Sequence, residues 1–128
     1  MQPFRRLAVW EKAHELTLRV FRLAEEGGLR RFPGLSAQLC RSAAAIPTNI
    51  AEGSGHVSPA QFKRFLEIAL ASACETDYQL LLARDLDLIG SKEYAQLEAR
   101  LSEVRAMLMG LRKRVAEKAK NPHPEARK

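Results

Sequence analysis

Residues 91–119, SKEYAQLEARLSEVRAMLMGLRKRVAEKA, contain a regular series of apolar side chains. Steps of three and four residues alternate between them without a break: Tyr94, Leu97, Leu101, Val104, Leu108, Leu111 and Val115. This spacing puts one apolar stripe along a helix, and it is the heptad pattern of helices that pack against each other. The stretch therefore predicts a long helix, and a fold in which helices pack on helices.

Three further segments have apolar residues at helical spacing, at about residues 7–26, 37–52 and 59–88. Gly27 ends the first of these segments. The second segment follows the N-cap residue Ser36 and is ended by residues 53–55 (Gly-Ser-Gly). The third begins where Ser58 can cap a helix and Pro59 fits its first position. Four helices with short connections favour antiparallel neighbours, and strands are not indicated. We expect an all-α, up-down-up-down four-helix bundle over residues 1–120 and a disordered basic tail at residues 121–128.

The first and third helices are apolar over more of their circumference than one bundle interior requires. In the first, Leu18 and Phe21 widen the stripe, and polar side chains cover only about a third of the helix. Some of this surface is expected to be buried against another subunit. The third is apolar on most sides between residues 65 and 83, so we expect it to be central.

The formal net charge of +6 is spread unevenly along the chain. Each of the three segments 1–31, 32–110 and 111–128 carries seven basic side chains. The first segment has four acidic side chains, the second has nine and the third has two. In the predicted topology, the start of helix 1, the helix 2–3 loop and the end of helix 4 share one end. The basic side chains expected there are Arg5, Arg6, Lys63, Arg64, Arg112, Lys113, Arg114, Lys118 and Lys120.

This basic end predicts salt-dependent binding to the phosphate backbone of a nucleic acid. The alternative is that residues 112–120 form a solvated helix end, whose charges complement the helix dipole. No aromatic residue is interleaved with these charges along the chain, so reading of unstacked bases is not predicted.

The sequence does not favour an enzyme, a metal site or a cofactor. Glu11 and His14 have the Glu-x-x-His spacing of di-iron bundles, but the chain has no second such step. Cys40 and Cys74 fit no metal spacing, and their apolar helical surroundings predict buried, reduced thiols. With no signal peptide and no membrane-spanning apolar run, a cytoplasmic location is expected.

The most unusual stretch is residues 46–53, Ile-Pro-Thr-Asn-Ile-Ala-Glu-Gly. Pro47 should leave the carbonyl of Ala43 without its usual backbone donor. Asn49 and Glu52 are three residues apart and share a helix face, so their side chains could satisfy this turn or cap a neighbouring helix. We interpret Pro47, Asn49, Glu52 and Gly53 as a structural motif; the alternative is part of a ligand or partner site.

This stretch belongs to a longer pattern: Phe4-x-x-Leu7-x-Val9-Trp10, Leu35-Ser36-x-Gln38-Leu39-x-Arg41-x-Ala43, Ile46-Pro47-x-Asn49-Ile50-Ala51-Glu52-Gly53 and Phe62-x-x-Phe65-Leu66-x-Ile68-Ala69. The pattern resembles the bacterial four-helix bundle proteins of the 23S ribosomal RNA intervening-sequence family. Their wider relatives include the accessory variability determinant proteins of diversity-generating retroelements. The chain departs from the family in a shorter helix 1–2 loop, because Pro33 is followed at once by Gly34-Leu35-Ser36.

The resemblance implies an up-down bundle that assembles into a ring-shaped homopentamer, with no catalytic residues to transfer. The retroelement relatives bind nucleic acid and a reverse transcriptase. Residues and resemblance together predict a non-enzymatic, oligomeric protein that binds ribosomal RNA or another nucleic acid and is linked to 23S intervening sequences. The alternative is a scaffold that recognises a protein partner.

Overall fold

The computed structural model describes residues 3–56 and 58–120, which form four long α-helices and two short 3-10 helices. The α-helices are α1 (Ala8–Ala24), α2 (Pro33–Ser54), α3 (Pro59–Asp85) and α4 (Ser91–Lys120); the 3-10 helices are Phe4–Arg6 and Gly27–Arg31. Each helix packs against the next, and α4 packs back against α1. The predicted antiparallel up-down-up-down bundle is therefore confirmed, whereas the tail predicted at residues 121–128 lies outside the described residues.

Aliphatic side chains from all four helices fill the interior. On α4 the predicted heptad positions Leu97, Leu101, Val104, Leu108 and Val115 are buried. The other helices contribute smaller and larger residues in turn: Val9, Ala13, Leu16, Val20, Leu39, Ala43, Ile46, Ile50, Leu66, Ala69, Ala73, Leu80 and Ala83. The low aromatic content of the chain is thus matched by a core of Leu, Ile, Val and Ala.

The apolar surface of α1 and α3 exceeds what this interior can cover. On α1, Leu18 and Phe21 remain 38% and 46% exposed, as the breadth of its apolar stripe predicted. On α3, Ile68 and Tyr78 are 39% and 61% exposed. The prediction that α3 is central is therefore wrong, because α3 is one of four helices around a shared core and has a solvent-facing side of its own.

Two helix boundaries differ from the sequence prediction. Helix α2 begins at Pro33, and not after Ser36, because the backbone N–H of Ser36 already donates to the carbonyl of Phe32 (3.0 Å). Proline suits the first helical position, since its fixed φ matches the helix and no donor is lost there. Helix α3 begins as predicted, with the Ser58 side chain accepting from the backbone N–H of Gln61 (3.4 Å), but it ends at Asp85.

Pro47 lies inside α2 and has no backbone N–H to donate to the carbonyl of Ala43, and a side chain on α1 donates that hydrogen bond instead. The hydroxyl of Thr17 on α1 donates to the carbonyl of Ala43 at 3.1 Å and shares its hydrogen with the carbonyl of Ala13 at 2.8 Å. Asn49 donates instead to Ala45 of its own helix (2.8 Å). Asn49 thus bonds within the turn that contains Pro47, whereas the freed carbonyl of Ala43 takes its donor from Thr17, and this hydrogen bond ties α2 to α1.

Gly53 lies within α2 and allows α2 and α3 to approach closely. A Cβ atom at this position would lie 2.8 Å from Cβ of Phe65 and 2.8 Å from Cδ1 of Phe62. The helix ends within the predicted stretch of residues 53–55, because α2 continues through Ser54 and Gly55 is its C-cap, so Gly53 itself lies inside the helix. Only glycine fits between the two helices here.

A buried polar cluster that the sequence did not predict also joins α2 to α3. The hydroxyl of Thr76 lies 2.9 Å from that of Ser42, which lies 2.7 Å from Oε1 of Gln79. All three side chains are at most 5% exposed. Because a slip of one helix past the other would leave these atoms without partners, the cluster fixes the register of α2 and α3.

We expect Thr17→Val, which keeps the side-chain shape, to lower the free energy of unfolding by about 1–2 kcal/mol, because it leaves a buried carbonyl with no donor. Urea denaturation measures the change. Thr48→Val is the matched control, since the exposed Thr48 hydroxyl bonds only to Ala44 of its own helix (2.8 Å). Equal losses in the two variants would contradict the coupling of α1 to α2.

Gly53→Ala should lower the free energy of unfolding by about 1–3 kcal/mol, because its methyl group overlaps Phe62 and Phe65 in a packed interface. The sign is diagnostic, since alanine stabilises an unobstructed helix by about 1 kcal/mol relative to glycine. Gly110→Ala is the control: its Cβ would lie 3.6 Å from the end of the flexible Arg114 side chain. A stabilising Gly53→Ala would disprove the close approach.

Candidate nucleic-acid interface

Three segments that are distant in sequence meet at one end of the bundle, which we call the basic end. They are the start of α1, the α2–α3 connection and the last turns of α4. Together they line one cleft of about 540 Å³, the basic cleft: Leu7, Ser54, His56, Ser58, Pro59, Phe62, Leu111, Arg114, Val115 and Lys118. The other two connections meet at the opposite end, where a Cβ on Gly28 would lie 2.3 Å from the carbonyl oxygen of Leu88. The expected juxtaposition of chain segments is thus present.

Arg114 and Lys118 provide the positive charge of the basic cleft. They are one helical turn apart on α4, and both are exposed. The floor beneath them is apolar and includes Phe62 and the buried Val115. Two cationic side chains above an apolar floor fit an anion that carries an apolar or planar part.

Arg112 is held differently from its neighbours. Its Nε donates to the carboxylate of Glu67 on α3 at 2.9 Å, and the two side chains are 39% and 43% exposed. This hydrogen bond lowers the pKa of Glu67 from its ordinary value, and the charges of Lys63 and Arg64 lower it further, against the opposing effect of desolvation. Part of the charge of Arg112 is therefore already neutralised.

The nine predicted basic residues do not form one patch. Arg114 and Lys118 line the basic cleft. A separate groove between α3 and α4 is lined by Arg112, Lys113 and Lys120. The other four lie at the start of their segments: Arg5 and Arg6 in the first 3-10 helix, and Lys63 and Arg64 in the opening turns of α3.

Aromatic rings at the start of α1 lie at the same end of the bundle, although no aromatic residue is interleaved with the charges of α4 in the sequence. Phe4 contacts Trp10 edge to face, with ring centroids 4.8 Å apart, and Trp10 stacks on His14 at 4.9 Å with planes 9° apart. The guanidinium carbon of Arg5 lies 5.5 Å from the centroid of the Phe4 ring. The rings and the charges of α4 are about a hundred residues apart in sequence, so only the predicted topology could have placed them at the same end.

These rings line a groove of about 720 Å³ between α1 and α2, the aromatic groove. Its opposite wall is the motif helix: Pro47, Thr48, Ala51 and Glu52. His56 lines both the aromatic groove and the basic cleft, so the two are adjacent. Of the predicted motif, Pro47 and the exposed Glu52 thus contribute to a surface, while Asn49 and Gly53 act within the bundle.

The remaining candidates from the sequence do not form a site among the described residues. Cys40 is half-buried, and burial raises the pKa of its thiol, whereas Cys74 is exposed, so the prediction of two buried thiols is wrong for Cys74. Glu11 and His14 are both exposed on α1. Within residues 3–56 and 58–120, no three His, Cys, Asp or Glu side chains converge, and no helix has the length and hydropathy to cross a membrane.

The fold is similar to a crystal structure of a protein with unknown function from the S23 ribosomal protein family of Bacteroides thetaiotaomicron VPI-5482. The TM-score is 0.76 at 28% sequence identity, and the similarity covers 83% of this chain and 99% of that chain. No curated protein matches the sequence.

The family resemblance seen in the sequence is confirmed by a match to a family profile. The profile describes the 23S rRNA-intervening sequence protein, and it matches residues 5–110, most of the chain. The chain therefore belongs to the 23S rRNA-intervening sequence protein family.

Proposed function

We propose that this protein is a non-enzymatic, oligomeric bundle that binds the phosphate backbone of RNA or another nucleic acid through its basic end. The observation that supports this most is the row of cationic side chains on the last turns of α4: Lys113, Arg114, Lys118 and Lys120. Within residues 3–56 and 58–120, no carboxylate lies within 4.0 Å of these four. Their charge is therefore available to a phosphate.

The contrast with Arg112 refines which residues matter. A phosphate that contacts Arg112 must compete with Glu67, whereas one that contacts Arg114 or Lys118 displaces only water and counterions. Counterion release drives such binding, so affinity falls steeply with salt. Because the family is named for 23S rRNA intervening sequences, ribosomal RNA is the first nucleic acid to test.

Exposed apolar side chains support the oligomeric part of the proposal. Phe21 on α1 is 46% exposed, and Tyr78 on α3 and Met109 on α4 are each 61% exposed. Contiguous exposed apolar side chains mark surfaces that bind another protein, and the pair that meets this criterion is Leu18 and Phe21, which are three residues apart on one face of α1. A homopentamer is the assembly that the family resemblance implies, and light scattering measures its mass.

The same surfaces support a second candidate function, a scaffold that binds another protein and no nucleic acid. Pull-downs with and without nuclease treatment separate the two functions. A scaffold retains its partner after nuclease treatment, whereas a partner held through RNA is lost.

For the main proposal, the triple variant Lys113→Gln/Arg114→Gln/Lys118→Gln should weaken binding to structured ribosomal RNA. It should also flatten the dependence of log K on log salt by about two units, since each lost phosphate contact removes roughly 0.7–0.9. Fluorescence anisotropy at several salt concentrations measures both quantities. Gel analysis of the recovered RNA tests the non-enzymatic part, because the RNA should keep its full length.

The control variant is Arg30→Gln/Arg31→Gln/Lys92→Gln, which also removes three positive charges, but from exposed positions at the opposite end of the bundle. It should leave the affinity within about twofold and the salt slope nearly unchanged. Equal losses in the two triple variants would show that net charge, and not the basic end, governs binding. No binding by the parent protein at low salt would refute the proposal.

A further inference from the structure

The basic cleft and the aromatic groove form one continuous surface with two chemically different halves. His56 is the residue that they share. On one side of His56 lie the cationic side chains of Arg114 and Lys118; on the other lie the rings of Trp10 and His14. Each half has the volume of about 300–1,000 Å³ that is usual for a site holding a small molecule or a group of that size.

The rings of the aromatic groove already form a short stack. Trp10 and His14 lie parallel, 9° apart, at the centroid distance of 4.9 Å. His14 is exposed, so the stack ends at the surface. An unpaired base has the same planar shape and can extend such a stack, and this contact tolerates any base because every base has a π-face.

The charges divide in a way that matches one nucleotide strand. The groove wall carries the carboxylate of Glu52, which repels phosphate, while the cleft carries Arg114 and Lys118, which attract it. A strand that runs along the boundary at His56 can therefore keep its phosphates on the cleft side and its neutral bases on the groove side. The paired, stacked bases of a duplex cannot enter the groove, so a duplex gains only the phosphate contacts.

We propose that the basic end binds single-stranded nucleic acid in preference to duplex, with phosphates in the basic cleft and unstacked bases in the aromatic groove. This inference rests on the proposed function, because it assumes that the basic end binds nucleic acid. It goes further in naming the form of the nucleic acid and in assigning Trp10, His14 and His56 to the contact surface.

The chain offers a direct probe, because Trp10 is its only tryptophan. A ten-nucleotide RNA of mixed sequence is titrated into the full-length protein, first alone and then annealed to its complement. The single strand should bind about tenfold more tightly than the duplex and should quench the fluorescence of Trp10. The duplex should bind with little quenching.

His14→Ala is the informative variant, since the side chain is exposed and its loss should not disturb the core. It should weaken binding of the single strand about fivefold or more, in the range seen when a base loses its stacking partner, and leave duplex binding within twofold. Phe32→Ala, which removes a 44% exposed ring from the opposite end of the bundle, is the matched control and should change neither affinity.

The outcomes separate this inference from the proposed function. Equal affinities for strand and duplex, with unchanged Trp10 fluorescence, would overturn the inference and leave phosphate binding at the basic end intact. If neither probe binds at low salt, both proposals fail.

Discussion

The basic end depends on the close contact between α2 and α3 at Gly53. The space that a Cβ would fill there is taken by Phe62 and Phe65, so these two side chains of α3 pack directly on the backbone of α2. Phe62 is also part of the floor of the basic cleft. One residue without a side chain therefore sets the distance between α2 and α3 and the shape of the surface at their ends.

The hydrogen bond between Thr17 and Ala43 sets the distance between α1 and α2. Proline inside a helix removes a backbone donor, and in most helices the freed carbonyl would turn to water or distort the turn. Here the carbonyl is buried in the bundle and takes its hydrogen bond from α1. Thr17 and Pro47 both line the aromatic groove, so the interaction that joins the two helices also sets the spacing of its walls. The motif from Pro47 to Gly53 thus shapes both halves of the surface.

The fold could be predicted because its main signals are local. The heptad of α4 and the capped start of α3 each depend on residues within one helix, and the structure has both. The start of α2 was missed because Pro33 and Ser36 are both good first-turn residues, and sequence alone does not rank them. The aromatic groove was missed for another reason: its two walls, Trp10 on α1 and Pro47 on α2, face each other only through the packing of whole helices, which no local pattern encodes.

The ion pair between Arg112 and Glu67 shows why counting charges would misjudge this surface. An exposed pair of this kind contributes little to stability, because water screens the attraction and the long side chains lose freedom. While the pair holds, however, Arg112 has less free charge to offer an anion than Arg114 or Lys118. Because Arg112 holds the pKa of Glu67 below its usual value, the carboxylate stays ionised well into the acid range, and the pair weakens only as the pH falls through that lowered pKa. The charge pattern on the outer side of α3 and α4 is accordingly constant around neutral pH. If the basic end binds nucleic acid as proposed, selectivity for one form of it comes from the shape and the rings of the neighbouring groove.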